Sequence, residues 1–205
     1  MAVPFASALR EGGRGLRGRQ RGDLLQHQGR REQLGQQARR GLAGKPVKIE
    51  DFKGKTVVLE WHNFGCPFVQ KHYRSGNMQA LQKKYSSDVV WLAVNSTHKS
   101  ASDYTEPGKL TKELKDFGAA PARYLVDEPG TMGMAYGAKT TPHMYIIDPS
   151  GKVVYNGAID DKRSTNVADV KIAKNYVVAA LDELKAGKPV STASTAPYGC
   201  TVKYK

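Results

Sequence analysis

Lys53-Gly-Lys-Thr-Val-Val-Leu-Glu-Trp-His-Asn-Phe-Gly-Cys-Pro-Phe68 is the stretch that decides the fold. Residues 56–61 are β-branched and apolar and follow the turn Lys53-Gly-Lys55, as a strand buried on both faces requires. A helix follows, with Pro67 suited to its first position. Ser75-Gly-Asn77 then turns the chain into a second helical stretch with Met78, Leu81 and Tyr85 at i, i+3 and i+7. Residues 89–94, Val-Val-Trp-Leu-Ala-Val, form another continuous apolar strand. Strand, helix and strand in this order make a right-handed βαβ unit on a parallel pair.

Outward from that unit, residues 110–117 read as a short helix, 123–126 as a strand and 131–136 as another short helix. Residues 143–147 and 153–156 are strands joined by Asp148-Pro-Ser-Gly151, whose residues fit a type I turn and close an antiparallel hairpin. A last helix is predicted to start at Asn166. Its stripe is Val170, Ala173, Val177, Leu181 and Leu184, and Gly187 and Pro189 stop it. The elements predict an α/β fold with a central mixed sheet covered by helices.

The chain of 205 residues, 40% apolar and 25% charged, suffices for one domain with a sizeable core and is too short for two ordinary ones. Apolar runs reach six residues, far below the roughly 20 that span a bilayer, so no membrane span is expected. The net charge of +13 invites a nucleic-acid reading, but it is unevenly spread. Residues 1–45 hold nine arginines and Lys45 against Glu11, Asp23 and Glu32, whereas 46–205 hold 22 basic and 16 acidic residues with only Arg74, Arg123 and Arg163 as arginines. Segment 10–45 has nine glycines, six glutamines and leucines too sparse for an apolar face, which predicts a disordered basic arm. Such an arm reads as a nucleic-acid tether, a solvated tail, or a start or reading frame that is not the natural one. The switch from Arg to Lys usage favours the last, and no nucleic-acid partner is expected. Residues 2–9 are broken by Pro4 and lack the apolar run of an export signal.

Cys66 and Cys200 are the only cysteines, which excludes a thiolate zinc cluster and a disulfide-stapled scaffold. Cys66 lies between the end of the first strong strand and its helix, the functional edge of an α/β sheet. With Pro67 next, Cys66 takes the N-cap, where free N–H groups and the helix dipole favour a thiolate. The alternative is a buried cysteine acting as a small hydrophobe. Cys200 reads either as a thiol that resolves an oxidised Cys66, within the chain or between the chains of a homodimer, or as a spare tail thiol or one half of a static disulfide. His62 and His143 are the histidines that the fold can bring near Cys66 as metal ligands, but no fixed ligand spacing supports a metal, and no cofactor is expected.

Residues 52–61, then Cys66-Pro-Phe68, then Thr140-Thr-Pro-His-Met-Tyr-Ile-Ile-Asp148, resemble the thioredoxin-like redoxins. The likeness is closest to the alkyl hydroperoxide reductase/thiol-specific antioxidant (peroxiredoxin-like) branch and its extracytoplasmic relatives. It covers residues 46–205, including the ending Pro197-Tyr-Gly-Cys-Thr-Val-Lys-Tyr204. The resemblance implies a three-layer thioredoxin-like domain over 46–187, with a Cys-bearing tail over 188–205. It implies that Pro142 is a cis-proline beside the reactive thiol and that Thr141 presents its backbone to whatever reaches Cys66. Val69 stands where a dithiol enzyme has its second cysteine, so Cys66 must await another thiol. Asn63 stands where a peroxiredoxin has Thr or Ser, and its amide can donate a hydrogen bond but lacks the hydroxyl's dual role. Arg123 is, by elimination, the candidate for the family's arginine beside the thiolate. The usual opening strands are missing, with residues 31–44 in their place.

The expectation is a thiol-dependent oxidoreductase in which Cys66 reduces a peroxide and Cys200 or an external thiol, small or thioredoxin-like, restores it. The alternatives are thiol–disulfide exchange on proteins and a copper-binding chaperone without turnover. The compartment is left open: the family likeness implies a periplasmic or extracytoplasmic place if the N-terminus is misassigned.

Overall fold

A computed structural model describes residues 39–205 except Ala43 and Lys45. The basic arm expected over 1–45 therefore lies, up to residue 38, outside the described residues. Its last part departs from the expectation. Arg39–Gly41 is a strand, β1, which pairs antiparallel with Pro46–Val47 (β2) and with the later strand Arg123–Val126 (β5). Leu42 N donates to Tyr124 O at 2.9 Å, so the arm's end covers the sheet edge that the sequence left open. This pairing uses main-chain groups, which explains why a segment with few apolar residues gave no strand signal.

Thr56–Trp61 (β3) and Val89–Asn95 (β4) pair in parallel, and β5 extends that parallel set. His143–Ile147 (β7) adds antiparallel to β3, and Val153–Gly157 (β8) pairs antiparallel with β7. The sheet order is β2-β1-β5-β4-β3-β7-β8, a mixed sheet as expected. Successive β3 residues point to opposite faces and all find cover, which is why this strand reads as a continuous apolar run. Val58 packs with Val69, Tyr73, Met78, Leu81, Val177 and Leu181, beneath helices Pro67–Arg74 (α1), Asn77–Lys84 (α2) and Tyr176–Lys185 (α5). Val57, Leu59 and Trp61 pack on the other face with Met132 and Tyr136 of Thr131–Tyr136 (α4). Helix Pro107–Asp116 (α3) places Leu110 against Ala93 and Tyr124.

The helix predicted from Asn166 is two elements. Asn166 caps a short 3₁₀ stretch, Val167–Ile172, whose Ile172 is exposed; Ala173 is extended, and Asn175 caps α5 by accepting from Val178 N at 3.0 Å. Asp160 bridges to Asn175 here, so tertiary pairing overrides the helical stripe.

Residues 188–205 are no separate tail. Thr195 N donates to Asn156 O at 3.1 Å, and Thr195 Oγ1 accepts from Ala158 N at 2.9 Å. Tyr198 and Val202 are buried, and the Tyr204 hydroxyl donates to Ala138 O at 2.8 Å. Cys200–Thr201 (β9) pairs antiparallel with Thr140–Thr141 (β6). Among the described residues no helix is long and apolar enough to cross a membrane.

Candidate active site

The site forms where β3 gives way to α1. Beyond Trp61, the His62 N–H still reaches Val94 O at 2.8 Å, and the chain then turns on Asn63. Asn63 O accepts from Cys66 N at 3.0 Å, and Asn63 Oδ1 accepts from Gly65 N at 2.7 Å. Cys66 is thereby held extended, φ −84° and ψ 121°, at the N-cap of α1 with Pro67 at the first helical position. Its carbonyl accepts from Gln70 N at 2.9 Å and opens the helical ladder. The sulfur is buried and donates to Thr141 O at 2.9 Å.

Thr141–Pro142 is a cis peptide bond. Thr141 also lies opposite Cys200 in the β6–β9 pair, so one residue touches both thiols' surroundings. The approach is close because residue 199 is glycine: a Cβ there would meet Thr141 O at 2.1 Å, and its φ of 139° is one that side chains disfavour. Both cysteines are free thiols, Cys66 buried and Cys200 partly exposed. The Cys200 thiol is pushed up to about 12, first by burial, then by the neighbouring Cys66, then by the Asp103 charge, with Lys203 opposing. At neutral pH Cys200 is therefore a protonated thiol, set across the β6–β9 pair from the residue that accepts the Cys66 hydrogen bond. Two thiols brought to one residue in this way can join as a disulfide once one of them is oxidised.

Cys66, Pro67, Thr141, Pro142 and Cys200, singled out in the sequence, thus come together. Asn63 lies beside them with its amide committed elsewhere. Its Nδ2 donates to Thr97 Oγ1 at 3.0 Å and to Asp103 O and Oδ2, each at 3.2 Å, so it stitches the thiol loop to the loop after β4. Arg123 does not take the place expected of it. It is exposed at the start of β5, and its guanidinium donates to the neighbouring Ala122 O at 2.6 Å. His62 turns Nδ1 to Glu60 Oε1 at 2.9 Å, among the rings of Phe64, Tyr73 and Tyr124. His143 packs on Tyr145, with Nδ1 3.2 Å from Lys139 N. Among the described residues no three His, Cys, Asp or Glu side chains are grouped to hold a metal ion.

Two buried polar networks brace the site, and neither has a sequence signature. Glu60 accepts from the Tyr73 hydroxyl at 3.0 Å and from Trp91 Nε1 at 2.8 Å, and it faces His62. On the other side of α1, Asp160 is buried, accepting from the Tyr198 hydroxyl and from Lys162 N at 2.9 Å, with Lys71 Nζ 3.5 Å away. Lys71, fully buried, donates to Lys162 O at 2.7 Å. His72 Nε2 lies 3.3 Å from the Tyr198 hydroxyl, and burial pushes His72 down to about 4, outweighing Asp160. This network ties the helix that follows Cys66 to the segment that carries Cys200.

Residues 35–176 match the family model described as Redoxin. Among solved structures, an uncharacterized conserved protein from Geobacillus kaustophilus is 30% identical with a TM-score of 0.69, over 82% of this chain and 88% of that one. A hypothetical protein from Sinorhizobium meliloti is 24% identical with a TM-score of 0.67, over 82% and 90%. A secreted Mycobacterium tuberculosis disulfide oxidoreductase homologous to E. coli DsbE shares the fold at 16% identity and a TM-score of 0.50, over 59% and 82%. No curated protein matches the chain.

Proposed function

Because the chain belongs to the Redoxin family, whose thioredoxin-like fold it has, we propose that it is a thiol-dependent oxidoreductase in which Cys66 reduces a peroxide and Cys200 of the same chain resolves the product. The observation that carries this reading is the placement of Cys200 opposite Thr141, whose carbonyl accepts the Cys66 hydrogen bond at 2.9 Å. In the first step the Cys66 thiolate attacks one peroxide oxygen, the O–O bond breaks, and an alcohol or water leaves a sulfenic acid on Cys66. In the second, Cys200 attacks that sulfur, the S–O bond breaks, and a disulfide and water form. An external thiol, small or thioredoxin-like, then returns both sulfurs to thiols, meeting the pair at the more exposed Cys200.

Cys66 is 2% exposed beneath its own tail, which favours a small oxidant over a folded protein's disulfide. Thiol–disulfide exchange uses the same pair and needs the tail to move aside. Consumption of hydrogen peroxide and reduction of a protein disulfide, measured side by side with a dithiol reductant, separate the two. The proposal expects peroxide consumption that Cys66→Ser abolishes, and in Cys200→Ser a Cys66 sulfenate that dimedone traps. Protein-disulfide reduction without peroxide consumption refutes the peroxidase reading.

A further inference from the structure

Closing a disulfide across the β6–β9 pair requires Cys200 to be held where it meets Cys66. Strand β9 is two residues long, and the segment before it offers little grip: Ala196 is exposed and Gly199 has no side chain. Tyr198, two residues before Cys200, is buried, and its surroundings come from the helix that Cys66 caps. Phe68, Lys71 and His72 of α1 stand at i, i+3 and i+4, one face of the helix, and all three turn to Tyr198. The Phe68 ring packs edge to face with the Tyr198 ring at 5.8 Å, Lys71 Nζ lies 5.6 Å from the ring centre, and His72 Nε2 lies 3.3 Å from the hydroxyl.

The hydroxyl is fixed in direction as well as place. Asn77 Nδ2, an amide nitrogen that only donates, lies 3.0 Å from His72 Nδ1, so Nδ1 is the acceptor and the proton of the neutral ring sits on Nε2. His72 therefore donates to the Tyr198 oxygen, and the Tyr198 hydroxyl donates to Asp160 Oδ1. Asp160 is itself held by Lys162 N at 2.9 Å and by Lys71 Nζ, 3.5 Å from its Oδ2, while Lys71 is anchored on Lys162 O at 2.7 Å. Moving the hydroxyl would leave buried partners unpaired, which is costly. The contacts close a circuit. It runs from Cys66 along α1 to Tyr198, along the chain to Cys200, and across to Thr141, whose carbonyl accepts from Cys66.

We propose that Tyr198 is the positioning residue for disulfide closure: gripped by the Phe68, Lys71 and His72 face of α1 and by Asp160, it sets Cys200 against the thiol that the same helix carries. The assignment rests on the reading of Cys200 as the resolving thiol. In the step it serves, the Cys200 sulfur bonds to the Cys66 sulfur, the Cys66 S–O bond breaks, and the hydroxide leaves with the Cys200 proton as water. Cys66 is reduced from sulfenic acid and Cys200 is oxidised, so electrons balance within the pair. Tyr198 supplies proximity, which raises both the rate of closure and the stability of the disulfide once formed.

The test compares Tyr198→Phe, which keeps the ring and loses the hydroxyl, with Tyr204→Phe, which removes a hydroxyl from the other end of the tail, where it donates to Ala138 O at 2.8 Å. Between Tyr204 and Cys200 the chain is still held by buried Val202, whose N–H donates to Lys139 O at 3.0 Å. After one equivalent of hydrogen peroxide and rapid-quench alkylation, Tyr198→Phe is expected to close the disulfide about tenfold slower than wild type, and Tyr204→Phe within about threefold of it. Oxidation of Cys66, trapped with dimedone in a Cys200→Ser background, is not slowed by Tyr198→Phe. In glutathione redox buffers the Tyr198→Phe disulfide is expected to be about tenfold easier to reduce, a potential about 30 mV more positive. A hydroxyl that only stabilises the fold, equally in both redox states, leaves that potential in place. Closure in Tyr198→Phe within about threefold of wild type, an unchanged potential, or equal slowing in Tyr204→Phe overturns the proposal and leaves Cys200 as the resolving thiol. A wild-type protein that forms no Cys66–Cys200 disulfide overturns the underlying reading along with it.

Discussion

Gly199→Ala tests how closely the tail must approach the site. A Cβ at residue 199 would stand 2.1 Å from Thr141 O, 2.7 Å from Thr141 C and 3.2 Å from Pro142 N. An ordinary carbon–oxygen contact is about 3.3 Å, so β9 must retreat by about 1.2 Å, a displacement that breaks its pairing with β6. The φ of 139° adds backbone strain for any side chain. Overpacking of this kind costs about 1–3 kcal/mol of stability. The kinetic cost is larger, because a misplacement of about 1 Å between reacting groups lowers the rate about 10²-fold. Cys200, the next residue, moves with the strand. The assay is stopped oxidation by one equivalent of hydrogen peroxide, with alkylation and mass measurement resolving sulfenate from disulfide over time. Gly199→Ala should form the Cys66 sulfenate normally and close the disulfide about 10²-fold slower, accumulating sulfinate with excess peroxide. Closure at the wild-type rate in a folded Gly199→Ala protein would refute the geometric argument.

Tyr198→Phe removes the hydroxyl that binds Asp160 and His72; it should lower stability by about 1–3 kcal/mol in denaturant unfolding and speed alkylation of Cys200, and an unchanged midpoint contradicts the tail's anchoring. Glu60→Gln replaces a buried acceptor of the Tyr73, Trp91 and His62 groups with an amide whose N–H₂ must face a donor; a loss of about 2–4 kcal/mol is expected, and a neutral result means the network is not held by the carboxylate. His72, pushed from 6.5 to about 4 by burial, is neutral in the folded protein but charges more readily when unfolded, so its contribution is complete above pH 6.5 and is lost as pH falls toward 4. The loss amounts to about 3 kcal/mol, and His72→Gln should flatten the stability profile in that window; an equally steep profile in the variant assigns the acid sensitivity to other groups.

The fold was legible wherever the signal is local. Strands β3 and β4 are apolar on both faces, the hairpin turn at Asp148–Gly151 has its turn residues in order, and Pro67 marks the start of α1. Cys66 and Pro142 could be paired in advance only through the likeness to the redoxins, since the sequence by itself shows no more than a proline at the start of a strand. What escaped notice depends on approach between distant segments. Strand β1 owes its place to main-chain pairing with β5, which apolar periodicity cannot report. Asp103 and Asp160 carry no pattern that separates them from solvated loop acids, and only the packing of Asn63 and Tyr198 against them shows otherwise. Arg123 was placed by elimination, and its exposed position at the start of β5 shows the weakness of that reasoning where no local signal exists. The segment after Gly187 reads from sequence only as a Cys-bearing tail, yet Gly199 is what lets Cys200 reach Thr141.

The central claim is that Cys66 and Cys200 of one chain are redox partners. Reduced protein should be treated with one equivalent of hydrogen peroxide, alkylated, digested without reductant and mapped by mass. The account predicts a monomer lighter by two hydrogens, in which the peptide containing Cys66 is joined to the peptide containing Cys200. A persistent sulfenate or sulfinate on Cys66 with Cys200 still alkylated, or a disulfide found between chains, contradicts it.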